Sequence, residues 1–569
     1  MTSTSSTQQP APSPPKSNKL PEAGRTPAAG GQDDRPWYAD AVIYQVDPNL
    51  FVDSNADGRG DLVGLTQRLE HIRELGATCL WILPFYETPY HDGGYDVSDH
   101  RKVDPRFGTV GDFENLVRRA HELGLRVVIE LVVQHTSDQH RWFQEARRDP
   151  SSPYRDYYVW ADEPEESDVE PIFPGVEDSV WEWDDVAGQY YRHVFYSHEP
   201  DLDLSKDVVR REVADIADFW LERGVDGFRL DAVPTIMERT RAADPTDDGL
   251  WWLSEFRDHL DAGRPGAAIM GEVDEWPEKY ADYFGDNRRL NLILDFWVNN
   301  HIFLALARND AEPLVEALRQ QPEPPPGARY ATWLRNHDEL DLERLSDEER
   351  EEVYAAFAPE EEMRIYGRGI RRRLAPMLEG DDRRIAMAHA VMLSLPGVPV
   401  LRYGDEVGQG DDLSRPERTS VRTPMQWTDG PQGGFSKSDD GLAAHLITDG
   451  EFDYRRRNVV DQAREADSLL DRLRDLVHAR RAVPEAVNRA YHPVDVGVPG
   501  VLAMRHDGDG TSVLMLVNLT PDKVVARAPE FSLDGAQEIL VDPASKGSGR
   551  DGDGLALAGY GYRWIRVGV

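Results

Sequence analysis

The sequence has little cysteine, little lysine and no long apolar run. Its 569 residues include one cysteine, Cys79, and eight lysines against 56 arginines. A single cysteine excludes an internal disulfide framework, so we expect a reducing compartment and an inert Cys79 in the core. No apolar run approaches the roughly 18 residues of a membrane-spanning helix, and residues 1–35 lack the pattern of a secretory signal. These absences favour a cytoplasmic protein that does not enter a membrane.

Negative charge dominates the composition. Lys and Arg together number 64, and Asp and Glu number 104, which gives a net charge of −40. Such a charge does not favour binding to nucleic acid or to an anionic membrane. Two explanations of the acidity stay open: a solvated acidic face, or adaptation to high salt, where counter-ions screen the repulsion.

Short apolar segments alternate with amphipathic helices from Trp37 onward, after a Ser-, Pro- and Gly-rich stretch at 1–35 that we expect to be a disordered tail. The eight predicted strands are Ala41–Val46, Ala77–Leu83, Arg126–Val133, Val225–Leu230, Ala268–Gly271, Leu290–Leu294, Ala331–Leu334 and Val398–Leu401. Their apolar runs are nearly continuous, as in a parallel sheet that is covered on both faces. Eight such units predict an α/β fold, a closed (β/α)8 barrel of the TIM type.

Two long stretches interrupt this alternation. Residues 136–206 follow the third strand, and their aromatic side chains indicate an inserted subdomain. Residues 339–380 follow the seventh strand and form a charged insertion that we expect to be mostly helical. Beyond residue 485 short strands with Gly and Asp turns predict a C-terminal antiparallel β-sandwich at 486–569. The predicted barrel domain, with both insertions, therefore spans 36–485.

Acidic residues stand at the carboxyl ends of the predicted strands, where a barrel of this type has its functional groups. Asp231 follows strand four, Glu272 follows strand five, and Asp338 follows strand seven. Arg229 lies two residues before Asp231 on the same face of the strand, where it would keep Asp231 ionised. Cleavage of a glycosidic bond requires a pair of carboxyl groups with separated pKa values. This set of residues therefore indicates an enzyme that acts on glycosides.

Four segments identify the chain as a member of the α-amylase superfamily, glycoside hydrolase family 13. They are His135 after the third strand, the run 227–233, Glu272, and the run 336–338. The resemblance implies a retaining mechanism in which Asp231 is the nucleophile, Glu272 is the acid and base, and Asp338 stabilises the transition state. It also implies that His135, Arg229 and His337 hold the glucose in the −1 subsite.

Further motifs resemble those of exo-acting members of the family. The segment 92–95 resembles one that closes the −1 subsite through Asp92 and Tyr95, and Arg422 is expected to complete that pocket with Asp92. Phe195, in the first insertion, is a further candidate for substrate contact. Motifs at 276–285, 363–376, 403–408 and 433–435 resemble those of trehalose synthases, which interconvert maltose and trehalose, and the insertion 339–380 resembles their lid. The resemblance therefore implies a small α-glucoside as substrate.

The segment 53–61 places oxygen-bearing groups at alternate positions around a glycine, a spacing that suits Ca²⁺. The candidate ligands are Asp53, Asn55, Asp57, the carbonyl of Arg59, and Asp61. The same loop is a metal site in related α-glucosidases and trehalose synthases, which implies a structural calcium ion. An Asx-rich turn that binds nothing is the alternative. Glu130 and Gln134 replace the Asp and Asn of the family's third-strand motif, which speaks against a second calcium ion there.

The resemblance to trehalose synthases implies an isomerising glucosyltransferase that interconverts maltose and trehalose through a covalent glucosyl-enzyme, and two alternatives to it stay open. One is a hydrolytic exo-α-glucosidase, of the maltose or oligo-1,6-glucoside type, on the same scaffold. The other is an inactive sugar-binding or scaffold protein, against which the three intact carboxylates argue. The segment 291–305 departs from the sixth-strand sequence of trehalose synthases. The sequence therefore predicts the family more firmly than it predicts which aglycone the +1 subsite accepts. The sequence also leaves a homo-oligomer open.

The net charge of −40 predicts that stability rises with salt concentration. Repulsion among like charges opposes compaction, and added salt shortens the Debye length from about 30 Å at 0.01 M to about 3 Å at 1 M. We therefore expect the melting temperature in a thermal scan to rise between low and molar KCl. A melting temperature that stays level or falls would mean that the acidic surface is only a solvated face.

Overall fold

The computed structural model describes residues 35–164, 170–243, 248–487, 490–528, 533, 535–546, 550–551 and 554–568. The predicted disordered tail at 1–35 lies outside these residues apart from Arg35. Among the described residues, no helix is both long enough and apolar enough to cross a membrane.

Eight parallel strands close into a barrel. In chain order they are β1 Ile43–Val46, β2 Cys79–Ile82, β3 Arg126–Leu131, β4 Gly227–Leu230, β5 Ala268–Glu272, β6 Leu292–Leu294, β7 Arg329–Trp333 and β8 Val398–Arg402. Each strand pairs with the next, and β1 pairs with β8 to close the barrel. Every predicted strand overlaps one of these eight, so the prediction of a TIM-type α/β barrel is confirmed.

Alternate side chains of the strands fill the barrel, and the others face the surrounding helices. The interior cluster includes Ile43, Cys79, Trp81, Val128, Ala268, Met270, Leu292, Leu294, Ala331, Trp333, Val398 and Val400. Their neighbours along the strands, such as Tyr44, Leu80 and Ile269, belong to the outer cluster with the helices. Both faces are therefore buried, which explains why the apolar runs are continuous. Cys79 is fully buried, as predicted.

The helices begin and end at recognisable sequence signals. The α-helices are Pro48–Phe51, Leu62–Gln67, Leu69–Leu75, Val110–Glu122, Arg141–Ala146, Asp207–Leu221, Val233–Arg241, Trp251–Gly263, Tyr280–Phe284, Phe296–Arg308, Glu312–Gln320, Asp347–Phe357, Leu374–Met377, Asp382–Ser394, Val459–Gln462 and Leu469–Arg481. Gly76 ends the third in a left-handed conformation with φ 106°. Thr109 begins the fourth through reciprocal hydrogen bonds with Asp112. These signals set where the chain turns back towards the next strand.

Each insertion carries a small antiparallel sheet. The strands of the first are Trp160–Ala161, Trp181–Asp184 and Gln189–Arg192, and those of the second are Leu340–Asp341, Arg364–Ile365 and Gly369–Ile370. The second insertion is therefore less helical than predicted, because strands of two residues leave no periodicity in a sequence. Ile172, in the first insertion, and Asp341, in the second insertion, both line a cavity that residues at the ends of the barrel strands also line.

The C-terminal region forms two antiparallel sheets. One has the order Tyr491–Pro493, Val501–Asp507, Thr511–Asn518, Tyr562–Gly568 and Gln537–Val541, and the other has the order Val524–Ala526, Gly554–Leu557 and Arg550–Asp551. Leu514 and Ile565 of the first sheet share a core with Leu557 of the second, which confirms the predicted sandwich. Met515 and Trp564, on the opposite face of the first sheet, belong to the core of the barrel and its helices.

Candidate active site

A cavity of about 230 Å³ lies at the carboxyl ends of the barrel strands. Seven predicted site residues line it, namely Asp92, Tyr95, His135, Phe195, Asp231, Glu272 and Asp338. The other three predicted residues of the pocket each contact one or more of these carboxylates: Arg229 and Arg422 form ion pairs, and His337 Nε2 lies 2.9 Å from Asp338. The structure thus brings all the predicted catalytic and substrate-binding residues together.

Arg229 holds three carboxylates at one side of the cavity. Its guanidinium lies 2.8 Å from Glu130 Oε2 and 2.8 Å from Glu272 Oε2, and it also forms an ion pair with Asp231. Arg229 is 1% exposed, so water screens these charges little. Removal of the arginine would leave buried negative charge without its partner, which is strongly destabilising.

Glu130, one of the departures from the family motif, belongs to the same network. It is fully buried and accepts hydrogen bonds from Trp81 Nε1 at 2.7 Å and Tyr95 OH at 3.1 Å. Burial raises its pKa, and Arg229 opposes that rise. Glu130 therefore has partners on β2, on β4 and in the loop that carries Tyr95, and its charge raises the pKa of Asp231.

Glu272 has the surroundings of a general acid. Its carboxylate accepts a hydrogen bond from the backbone N–H of Ala232 at 3.0 Å and lies against Arg229. Burial raises its pKa to about 7, with Arg229 opposing the rise and Asp231 adding to it. A carboxyl group with this pKa can hold a proton near neutral pH and give it to a leaving oxygen. Ala232 has φ 44°, a strained backbone conformation of the kind that clusters at active sites.

The protonation of Asp231 depends on a balance of opposing charges. Burial raises its pKa, Arg229 opposes the rise, and Glu130 and Asp338 add to it. The expectation that Arg229 keeps Asp231 ionised therefore describes only one side of this balance. Because Asp231 and Glu272 share one arginine and repel each other, they titrate as a pair.

Asp338 stays ionised more readily than the other two acids. It forms ion pairs with Arg422 Nη2 at 2.8 Å and Arg418 Nη1 at 3.0 Å, and His337 Nε2 lies 2.9 Å from its carboxylate. Burial acts to raise the pKa of Asp338, but these partners outweigh burial and hold the pKa well below its ordinary range. Asp338 therefore presents a fixed negative charge to the cavity.

His337 connects Asp338 to Tyr95. Its Nε2 lies 2.6 Å from Tyr95 OH, and the two rings stack with centroids 5.4 Å apart. Gln45 Nε2 lies 3.3 Å from Nδ1 of His337 and donates a hydrogen bond to it. The proton of the His337 ring is therefore assigned to its Nε2. Burial lowers the pKa of His337 to about 4, so the ring is neutral at pH 7 and donates to Asp338.

Arg418 is a residue of the site that the sequence analysis missed. Its Nη2 lies 2.7 Å from Asp92 Oδ1, and its Nη1 contacts Asp338. Asp92 thus pairs with Arg418 rather than with Arg422, which contacts Asp338 and donates to the His337 carbonyl from Nε at 3.1 Å. Arg418 precedes Arg422 by about one helical turn, and this spacing is the signal that could have found it.

His135 and Phe195 form another wall of the cavity. Their ring centroids are 5.2 Å apart, and His135 Nε2 lies 3.3 Å from the Tyr95 carbonyl oxygen and 3.6 Å from Glu199. Burial lowers the pKa of His135 and raises the pKa of Glu199 well above its ordinary range. This wall therefore offers a neutral imidazole and an aromatic face, which suit a sugar ring.

Both insertions border the outer part of the cavity. The acidic residues that line this outer part are Asp274, Glu339, Asp341 and Glu343. Arg368 Nε, from the second insertion, lies 2.6 Å from Asp341 Oδ2, and its Nη2 donates to the carbonyl of Ile172 in the first insertion at 3.1 Å. Arg368 therefore joins the two insertions where both line the cavity.

The predicted calcium loop, 53–61, forms a run of internal hydrogen bonds. The side-chain acceptors of backbone N–H groups are Asp53, Asn55, Asp57 and Asp61. In the described part of the chain, the three acids of this loop are not among the groups of three or more His, Cys, Asp or Glu side chains with ligand atoms within 4.8 Å of one another. The all-oxygen donor set fits Ca²⁺ in its chemistry, while the hydrogen bonds are those of successive Asx turns.

Comparisons with known proteins find related sequences and structures over most of the chain. A sequence model of the α-amylase catalytic domain matches residues 45–356 and 370–489. A trehalose synthase/amylase of Mycolicibacterium smegmatis is 42% identical over 552 residues, which cover 94% of this chain and 93% of that protein. A probable α-glucosidase of Rhizobium meliloti is 33% identical over 559 residues, which cover 88% and 92%. The solved α-amylase of H. orenii has a TM-score of 0.75 at 25% identity, covering 92% of this chain and 99% of that one.

Replacement of Glu272 by Gln removes the proton donor and keeps the shape of the side chain. We expect bond cleavage to slow by about 10²–10⁴-fold for a glucoside with a poor leaving group, and far less for one that releases a dinitrophenolate, because that group leaves without a proton. Single-turnover rates on the two substrates measure the difference. An equal loss on both would exclude Glu272 as the acid.

The pH profile of the wild type provides a second readout of the same prediction. kcat/KM should fall above about pH 7 as Glu272 loses its proton, and fall on the acid side as Asp231 gains one. With the dinitrophenyl substrate the Glu272→Gln variant should lose the alkaline limb and keep the acid limb. An alkaline limb that persists in the variant belongs to another group.

Proposed function

Because this chain belongs to the α-amylase family, we propose that it interconverts maltose and trehalose by moving a glucosyl unit through a covalent glucosyl-enzyme. The resemblance predicted from the sequence is confirmed by the family match and by a trehalose synthase/amylase relative that is 42% identical. The convergence of Asp231, Glu272 and Asp338 on one cavity supports a retaining mechanism.

The first step cleaves maltose. The carboxylate of Asp231 attacks the anomeric carbon of the terminal glucose, and the bond from that carbon to the glycosidic oxygen breaks. Glu272 gives its proton to the departing oxygen, so the second glucose leaves as a neutral molecule. Asp338, which keeps its negative charge, stabilises the positive charge that develops on the ring.

The second step forms trehalose. The freed glucose turns over in the cavity and presents its anomeric hydroxyl group in place of its 4-hydroxyl group. Glu272, now ionised, takes the proton of that hydroxyl group while the oxygen attacks the glucosyl-enzyme and the bond to Asp231 breaks. Water in place of glucose would give hydrolysis, so the product depends on how well the cavity retains glucose and excludes water.

The observation that carries isomerisation over hydrolysis is the contact between the two insertions. Arg368 binds Asp341 and the carbonyl of Ile172, which joins the insertions beside the cavity. Next to Ile172, Phe173 packs against Tyr366 at 5.2 Å between ring centroids, and the Arg418 guanidinium lies 4.7 Å from the Phe173 ring. These contacts support a cover over the cavity, formed by the two insertions, that retains the glucose while it turns.

The outer cavity suits a neutral sugar as the aglycone. Carboxylate oxygens of Asp274, Asp341 and Glu343 lie within 4.8 Å of one another. Burial and the two neighbouring acids raise the pKa of Asp274 well above its ordinary range. Carboxyl groups accept hydrogen bonds from sugar hydroxyl groups, so this region accommodates the second glucose of maltose or trehalose.

Incubation with maltose tests the proposed reaction. We expect trehalose as the main product and glucose as the minor one, resolved by anion-exchange chromatography. Asp231→Asn should abolish both products, which excludes a contaminating enzyme. Glucose as the sole product would favour the exo-α-glucosidase, and a lack of activity on any α-glucoside would favour an inactive sugar-binding protein.

Arg368→Ala extends this test to the role of the cover. The glucose-to-trehalose ratio should rise because the two insertions lose a shared contact and water enters. Arg350→Ala is the matched control, since Arg350 lies on the same insertion and pairs at 3.2 Å with the exposed Asp347. An unchanged ratio in Arg368→Ala would mean that the contact of Arg368 with the two insertions does not exclude water from the cavity.

We also propose that the loop 53–61 binds a structural calcium ion. The ligands would be Asp53, Asn55, Asp57, the Arg59 carbonyl and Asp61. Asp53 additionally accepts a hydrogen bond from Ser436 Oγ at 2.5 Å, so the loop connects the start of the barrel with a segment near residue 436. An ion here would stabilise that junction.

Removal of calcium should then lower the melting temperature. An ion that binds only the folded chain stabilises it by about 2.7 kcal/mol at a concentration 100 times its Kd. Excess chelator should therefore destabilise the wild type, and added Ca²⁺ should restore it. Asp57→Ala, which changes an exposed side chain, should be insensitive to both. A wild type that does not respond to the chelator would favour the Asx turn.

A cytoplasmic location is part of the proposal. The one cysteine, Cys79, is fully buried in the barrel, which suits a reducing compartment. The reaction that we propose uses small neutral sugars and needs no macromolecular partner.

A further inference from the structure

A second group of metal-ligating side chains lies next to the sugar pocket. It consists of His91, Asp96 and His198, whose ligand atoms all lie within 4.8 Å of one another. His91 and Asp96 belong to the segment that carries Asp92, and His198 belongs to the first insertion. The mechanism uses none of the three side chains.

The burial of this group differs from that of an ordinary surface cluster. Asp96 is fully buried, and its Oδ2 lies 3.9 Å from His91 Nδ1. The rings of His91 and His198 have centroids 5.2 Å apart and are nearly perpendicular. Nε2 of His198 is buried and has no hydrogen-bond partner within the described part of the chain. A buried nitrogen without a partner is costly, and His198 belongs to a group with two other potential ligands.

We propose that His91, Asp96 and His198 bind a divalent transition-metal ion of the zinc type. Two imidazole nitrogens and one carboxylate are ligands that zinc takes in proteins, at about 2.0–2.2 Å, with a fourth position left for water. Ca²⁺ and Mg²⁺ prefer oxygen ligands alone, so the two histidines select against them. The His91 side chain is 58% exposed and can rotate towards the other two ligands.

Asp96 couples this site to the glucose pocket. Its Oδ1 accepts a hydrogen bond from the backbone N–H of Asp92 at 3.2 Å, and its Oδ2 accepts one from the backbone N–H of His91 at 2.9 Å. Asp92 in turn pairs with Arg418. A metal ion on Asp96 competes with these N–H groups for the same oxygens and loosens the turn that places Asp92. Occupancy should therefore weaken substrate binding and raise KM.

Calorimetric titration with ZnCl₂ tests the site directly. Excess Mg²⁺ is present throughout, so that sites made only of carboxylates are already occupied. We expect one zinc ion per chain, and at least a tenfold weaker affinity in His91→Ala, because even the loss of a group that only orients a ligand costs about 10–100-fold. Titration with Co²⁺ should give visible absorption bands from imidazole coordination that decrease in the variant.

His492→Ala is the matched control. His492 is another exposed histidine beside a carboxylate, with Nε2 at 3.6 Å from Asp507, and its loss should leave zinc affinity unchanged. Equal zinc affinity in the wild type and His91→Ala would overturn the proposal, as would the absence of a stoichiometric zinc site in the wild type.

Kinetics provide an independent readout of the coupling. Zinc should raise the KM for p-nitrophenyl α-glucoside in the wild type and in His492→Ala, and leave His91→Ala unchanged. Without zinc, His91→Ala should have wild-type activity, since its side chain faces solvent, and this also shows that the variant is folded. Equal inhibition of all three proteins would contradict the coupling. Because zinc binding is measured without a sugar, its outcome does not depend on the proposed reaction.

Discussion

The site depends on one buried guanidinium that serves three carboxylates. Arg229 contacts Glu130, Asp231 and Glu272, and one positive charge does not neutralise three negative ones. The remaining negative charge and the burial of the group raise the pKa values of Asp231 and Glu272. Asp231 and Glu272 therefore hold one proton more readily than none or two. One carboxyl group can then act as an acid while the other is an ionised nucleophile.

The opposite charge balance applies to Asp338. Two arginines, Arg418 and Arg422, contact this one carboxylate, whereas three carboxylates share Arg229. Its pKa stays well below the ordinary range, although it is buried in the same cavity as Glu272. The site thus separates two carboxyl groups with raised pKa values, Asp231 and Glu272, from Asp338, which keeps a constant negative charge.

The outer boundary of the cavity comes from chain segments far apart in sequence. Arg418 joins Asp92 to Asp338 and lies over the Phe173 ring, while Arg368 joins the two insertions. The same arginines therefore position acids of the cavity and hold its boundary. In the reaction that we propose, this arrangement would link retention of the freed glucose to the charges of the pocket, because a shift of either insertion would also move the acids that these arginines contact.

The barrel and its acids were predictable from the sequence alone. Strands buried on both faces have continuous apolar runs, and a parallel barrel brings the ends of all its strands to one edge, so Asp231, Glu272 and Asp338 had to lie near one another. The pairing of Asp92 with Arg418, which are 326 residues apart, was not predictable in this way. Neither was the contact of Arg368 with Ile172, nor the grouping of His91 with His198. Periodicity reports which face of an element is buried, whereas the approach of two loops depends on how the finished barrel and its insertions pack, and only the tertiary structure determines that.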